Sequence, residues 1–318
     1  MWPFKVYFLC LLFFFALMIR ETLCWNCRGH MLVAEIARRH LTEENRRKVE
    51  ENAQSFSKSG PFPKSIDFVQ ASCWPDDLKS WHMFAMKSWH YIDLPFSPDN
   101  VPVNKCEVMG MNVITASESM MDALRLEKSP AYVHQFALVS LVHFIGDIHQ
   151  PLHATTRYTK NHPDGDAGGN TFFVYENGKR LNLHSLWDDV CVPNDKIIHR
   201  PLSDTDYTTL KAFADYLEDT YKFDSALLKE TSIKAFAQES HMFGINTTYE
   251  GIEEGAEISD VYLGRCRQVA EARLTLAGRR LANLLNKLLE GVDVGKPDKD
   301  KFSKSIKGLE VRERNFIK

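Results

Sequence analysis

The first apolar pattern along the chain is an unbroken run, VYFLCLLFFFALMI at 6–19, behind Lys5 and ahead of Arg20 and Glu21. A charged start, an apolar stretch of that kind and the short side chains of Thr22 and Cys24 describe a secretory leader, residues 1–24, cut between Cys24 and Trp25. The run of about 14 residues falls short of the roughly 20 that a spanning helix needs, which weighs against a membrane anchor. Beyond it the pattern turns periodic. MLVAEIARRHLTEENRRKVEENAQ (31–54) carries apolar residues at 32, 33, 36, 37 and 41 before it becomes charged, and SPAYVHQFALVSLVHFIGDIHQ (129–150) keeps helical spacing until Pro151 stops it. Residues 206–240 and 257–290 read as two more long amphipathic helices. Strand-like material is scarce, and TFFVYENGKRLNL (171–183), with Asn177-Gly178 between two short runs, is the one hairpin the pattern predicts. The class is therefore mainly α, a helical bundle with a small β-hairpin. From Gly291 to Lys318 the period is lost and the sequence reads as a polar, flexible tail without an apolar anchor.

Composition narrows this picture. No Gly/Ser- or Pro-rich linker divides residues 25–290, so one domain is the simplest organisation. The formal charge of −3 excludes a broad electrostatic grip on nucleic acid, and any such binding must come from a local site. Loss of Cys10 and Cys24 with the leader leaves Cys27, Cys73, Cys106, Cys191 and Cys266, an odd set in an exporting pathway, which predicts two disulfides and a spare thiol. Asn246-Thr247-Thr248, in a segment of loop-like polarity, is a glycosylation acceptor.

The chemistry begins in LVHFIGDIHQPLH (141–153). His143 and Asp147 stand four apart and share a helix face, where imidazole and carboxylate can hold one ion, and His153 follows just past the helix end. A core histidine satisfied by Asp147 would account for this pair alone. NLHSLWDD (182–189) repeats the device, with His184 and Asp188 again four apart, so two pairs and His153 supply nitrogen and oxygen donors of the kind that bind zinc. Upstream, CWPDDLK offers Asp76 and Asp77, KSWHYID offers His90, and RGH offers His30 at the start of the first helix. Each is weak singly, since exposed Asp pairs are usually solvated and a His beside Trp is usually packing. With the amino group that cleavage would create at Trp25, there are more donors than one zinc can use, which points to a multi-zinc site.

WNCRGH, WPDD, WHYID, LVHFIGDIHQPLH, GGN and NLHSLWD, in this order, resemble the S1/P1 (class I) nuclease family of secreted zinc enzymes. The resemblance implies the phospholipase C/P1 nuclease type of helical fold over residues 25–290 and three zinc ions. Asp76, His90, His143 and Asp147 would hold the first, and His153, His184 and Asp188 the second. The amino nitrogen and carbonyl oxygen of Trp25, with His30 and the shared Asp147, would hold the third. It further implies hydrolysis of phosphodiester bonds in single-stranded RNA or DNA to 5′-phosphorylated products, and 3′-nucleotidase activity, by a hydroxide held between zinc ions and oriented by Asp76. Lys79 stands where fungal members carry an Arg; it keeps the positive charge and loses the bidentate fork.

Tyr91 and Asp93 take the positions where the family stacks a base and hydrogen-bonds its edge, which suits unpaired strands. In GDAGGN (165–170) the glycines would let Asn170 approach the site. Because Cys27 and Cys73 flank residues the resemblance brings to one cluster, it also implies a Cys27–Cys73 bridge. The expected substrates are single-stranded nucleic acid and 3′-nucleotides, with no stable protein partner, in a secreted enzyme or one in the lumen of the secretory or endolysosomal pathway. A zinc phospholipase C, which shares the fold and the N-terminal Trp, and a non-catalytic secreted zinc-binding protein are the rival readings. Three details depart from the family or stand outside its motifs. Asn26 replaces the usual Gly, His149 reads as a surface residue or one behind the ligands, and Asp77 reads as solvated.

Overall fold

The computed structural model describes residues 25–60, 62–103, 110–126, 129–190 and 199–292. The leader at 1–24, the tail beyond 292, Cys106 and Cys191 lie outside these described residues. The first predicted helical stretch is two helices, α1 (Cys27–His40) and α2 (Glu43–Ser59). Leu41 is extended between them, and the Thr42 side chain accepts from the Asn45 amide as an N-cap, so the polar T-E-E start that follows the apolar face begins a new helix.

Two short helices follow, α3 (Phe68–Ala71) and α4 (Trp74–Ser80), the latter with Pro75 in its first turn, where a missing N–H costs nothing. A 3-10 turn at Lys87–His90 precedes β1 (Pro95–Phe96), and α5 (Val113–Arg125) starts on a capping box of Asn112 with Thr115. The second predicted helix is α6 (Ala131–Asp147), which ends four residues before Pro151; a 3-10 turn, Pro151–His153, leads into β2 (Thr156–Arg157).

The hairpin forms as expected from β3 (Phe173–Glu176) and β4 (Lys179–Asn182), with both Asn177 and Gly178 at positive φ as its two-residue turn requires. Helix α7 (Leu183–Asp188) leaves it directly. The stretch 206–240 is three helices rather than one, α8 (Asp204–Thr220), α9 (Ser225–Lys229) and α10 (Ile233–Phe243). A wide helical turn, Gly244–Thr248, continues from α10 and places the exposed Asn246 in helical structure rather than in a loop. The last helix, α11 (Asp260–Leu288), matches its prediction. Besides the hairpin, β1 and β2 form a short parallel pair that the alternation did not announce, because two residues carry no readable period.

Helix α11 lies along α1 so closely that a Cβ at Gly278 would stand 2.6 Å from Ile36 Cβ. Helices α1, α2, α5, α6 and α11 bury one large apolar core that includes Trp25, Trp74, Leu138, Phe144, Leu274 and Leu281. A smaller core, with Leu152, Phe172, Val174, Trp187 and Tyr262, lies beneath the hairpin. A disulfide joins Cys27 to Cys73, and the buried Cys266 is also disulfide-bonded. Among the described residues no helix is long and apolar enough to cross a membrane.

Candidate metal centre

The last turn of α6 presents His143 and Asp147 on one face, both fully buried. Helix α1 brings His30 against that turn, so close that a Cβ at Gly146 would stand 2.8 Å from His30 Nδ1. The His30 and His143 rings stack with centroids 3.7 Å apart. Helix α4 adds Asp76, and the 3-10 turn after it adds His90. Asp147 is the hub of this group: its Oδ1 lies 3.3 Å from His30 Nε2, and its Oδ2 lies 2.9 Å from His90 Nδ1 and 3.2 Å from His143 Nε2. Asp76 approaches the same histidines, 3.5 Å from His143, 3.7 Å from His90 and 4.0 Å from His30. A second group, His153, His184 and Asp188, has its donor atoms within 4.8 Å of one another. Asp147 lies beside this second group, with Oδ1 3.7 Å from His153 Nδ1.

Backbone carbonyls fix which imidazole nitrogen faces inward. The Nδ1 of His143 donates to Ser72 O at 2.7 Å, that of His153 to His90 O at 2.7 Å, and that of His184 to Gly168 O at 2.6 Å, so each leaves Nε2 as the lone-pair donor. Gly168 has no freedom to change: its φ is +62°, and a Cβ there would lie 2.5 Å from Leu152 O. The loop that presents it is pinned by the buried Asp166, whose carboxylate accepts from Arg157 N at 2.9 Å and the Tyr249 hydroxyl at 2.6 Å. The Gln150 amide donates to Asp188 Oδ1 at 2.8 Å, and its carbonyl accepts from Leu152 N.

Burial pushes the His30 and His90 imidazoles down to about 4 and lowers those of His153 and His184, so these four offer lone pairs at neutral pH. Burial alone would raise Asp76, but Lys79 and the His143 and His90 rings hold it well below the usual carboxylate range. His143 is carried the other way: against burial, Asp147 and Asp76 lift it to about 10, because a pocket with two buried carboxylates favours positive charge. Burial pushes Asp188 up to about 8 in spite of His184 and Gln150.

The donor set fits zinc. Tetrahedral ligands at about 2.0–2.1 Å from one ion stand roughly 3.3 Å apart, the scale of the contacts around Asp147. Both nitrogens of His30, Asp147 Oδ1, His153 Nε2 and Asp188 Oδ2 are buried without a hydrogen-bond partner among the described residues, a costly arrangement that a coordinated cation would relieve.

The other expected residues fall around this pocket. The indole of Trp25 is buried and donates to Gly146 O at 2.8 Å, beside His30. Lys79 Nζ lies 2.8 Å from Asp76 Oδ1. Tyr91 is half-buried, Asp93 is exposed, and Asn170 is half-buried with its amide on Ala167 O. One minor expectation is corrected. Asp77 is not solvated: it pairs with Arg200 at 2.6 Å, a partner 123 residues away that no local pattern reveals. Of the two places expected for His149, the surface and behind the ligands, it takes the second. It is fully buried behind them, between Ile145 O and the Arg280 guanidinium, and burial with Arg273 and Arg280 keeps it neutral. Sequence reasoning also missed Gln150, Ser72 and Asp166, whose roles lie in contacts rather than in spacing.

Fold and donors together define a helical protein with a buried pocket of five histidines and three aspartates suited to several metal ions. The chain belongs to the S1/P1 nuclease family, whose profile matches residues 25–290. It is similar to Endonuclease 4 of Arabidopsis thaliana, 29% identical over 286 residues that cover 85% of this chain and 91% of that protein. Nuclease S1 of Aspergillus oryzae is 27% identical over 287 residues, 82% of this chain and 91% of its own length. Nuclease P1 of Penicillium citrinum is 28% identical over 194 residues, 57% and 63% respectively.

Proposed function

We propose that the protein is an exported zinc-dependent nuclease that hydrolyses phosphodiester bonds of single-stranded RNA or DNA to 5′-phosphorylated products and removes 3′-phosphate from nucleotides. The observation that carries this reading is the convergence of His30, His90 and His143 on the buried, shared Asp147, beside a second group of donors, in a chain of this family. Asp76, His90, His143 and Asp147 would hold one zinc, and His153, His184 and Asp188 a second. His30, Asp147 and the amino nitrogen and carbonyl oxygen of Trp25 would hold a third, once the leader is removed.

Bound zinc would lower the pKa of a water and neutralise charge on the phosphoryl oxygens. Asp76, kept ionised by its neighbours, would orient that water. Lys79, beside it, offers a point charge to the negative charge that develops on the phosphoryl group. Tyr91 stacks the base, Asp93 binds its edge, and Asn170 approaches from the glycine loop. Stacking contributes roughly 1–3 kcal/mol per base without regard to sequence and requires an unpaired base. Residues 25–290 would act as one domain, with Asn246 as the surface glycan acceptor.

The test is to purify the mature protein, count its zinc, and measure phosphate release from 3′-AMP, cleavage of single-stranded RNA and DNA, and hydrolysis of phosphatidylcholine, each with and without chelator. Three zinc ions and chelator-sensitive turnover of nucleotide and nucleic acid are expected. Turnover of the lipid alone, or no chelator-sensitive turnover at all, would sink the reading.

A further inference from the structure

A metal ligand at a chain terminus has a difficulty that a side chain on a helix does not: nothing precedes it, so its backbone is held from one side only. Residues 26 and 27 meet this difficulty from two sides. The Asn26 backbone N–H donates to Asp188 O at 3.0 Å, at the end of α7. Its side-chain amide donates to Asp189 Oδ1 at 3.0 Å, while its side-chain oxygen caps α1 by accepting from the Gly29 amide at 3.0 Å. On the opposite side, Cys27 is bonded to Cys73, the residue that opens α4 three positions before Asp76. Cys73 follows Ser72, whose carbonyl orients His143.

We propose that Asn26 and the Cys27–Cys73 bridge form a two-point strap that positions Trp25 for metal binding. Asn26 ties the new terminus to the helix of the His184–Asp188 pair, and Cys27 ties it to the helix of Asp76. The inference rests on the assignment of Trp25 as a ligand made above. A glycine at 26 would free the backbone next to Trp25 and remove both side-chain bonds, so the Asn supplies an order that Gly cannot. The strap residues do not touch substrate. They act through Trp25, by restricting the rotations that carry its amino nitrogen and carbonyl oxygen.

The experiment uses mature wild type, Asn26→Gly, Asn26→Ser and Cys27→Ala/Cys73→Ala, with zinc counted by atomic emission and released to a colorimetric chelator over time. Circular dichroism of each metal-free form reports on folding. In Asn26→Gly one of three ions should leave faster by on the order of fivefold, with the release of the other two unchanged. Ser keeps a helix-capping oxygen but cannot reach Asp189 as an amide does. Asn26→Ser should therefore release that ion as Asn26→Gly does if the strap positions Trp25, and should match wild type if residue 26 merely caps α1. The double cysteine variant should show the largest effect, on the order of tenfold or more, on that same ion. Wild-type release of all three ions from Asn26→Gly overturns the proposal even if the cysteine variant does not fold. A wild-type protein that holds no zinc overturns the functional reading itself.

Discussion

In the helical core His30, His143 and Asp147 ride on helices of 14 and 17 residues, whereas beside the hairpin His153 and His184 sit on turns of three and six. The first set is embedded in the large apolar core, and its histidine rings pack on one another. The second adjoins the small core under β3 and β4, and its geometry comes from the Gly168 carbonyl, the His90 carbonyl and the Gln150 amide. The difference teaches where each half stores its precision. The core group is held mainly by the packing of long helices, while the hairpin group can be loosened through a single loop or side chain.

The most severe break of this comparison is Asp147→Asn. Asp147 is shared by two of the three proposed zinc sites, so activity should fall on the order of a thousandfold or more, with loss of two zinc ions, whereas Asp188→Asn should release one. Equal zinc counts in the two variants would remove the hierarchy. Next in size, Gly168→Ala meets both a positive φ and the Leu152 carbonyl; it should weaken one ion by about 10–100-fold while the core group keeps its metal. Gln150→Leu removes one hydrogen bond to Asp188 and should weaken the same ion by about tenfold, visible as faster loss to chelator. The smallest effect should come from Tyr91→Ala, since Tyr91 supplies no donor to either group. It should raise KM for single-stranded DNA by about five- to tenfold with zinc content unchanged, and a lost ion would show that Tyr91 belongs to the centre rather than to the substrate.

The donors were legible in the sequence because their spacing is itself chemistry: His143 with Asp147 and His184 with Asp188 share a face wherever a helix forms. Asn177-Gly178 was legible for a similar reason, since few dipeptides accept two consecutive positive φ values. The stretch 206–240 failed as one helix because apolar residues recur on both sides of Tyr221–Asp224 and Glu230–Ser232, where the backbone turns extended and new helices begin. Periodicity reports which face is apolar and says little about where the chain bends. Asp77 with Arg200 and His149 with Arg280 were illegible because each partner is supplied by a distant segment. The departure at Asn26 was visible as a letter, and only the contacts to Asp188, Asp189 and Gly29 give it meaning.

The contact of Gly146 with His30 has a consequence for how such a chain can change over generations. Helix α1 and helix α6 meet where no side chain fits, and that meeting point is also where the donors converge. A lineage in which the chemistry fell out of use would inherit five imidazoles and three carboxylates in a buried pocket, where removing one partner of a charged pair strands the other. Single losses that strand a buried charge, such as His143 without Asp147, are therefore the costly ones, and donors that pair with one another should change together.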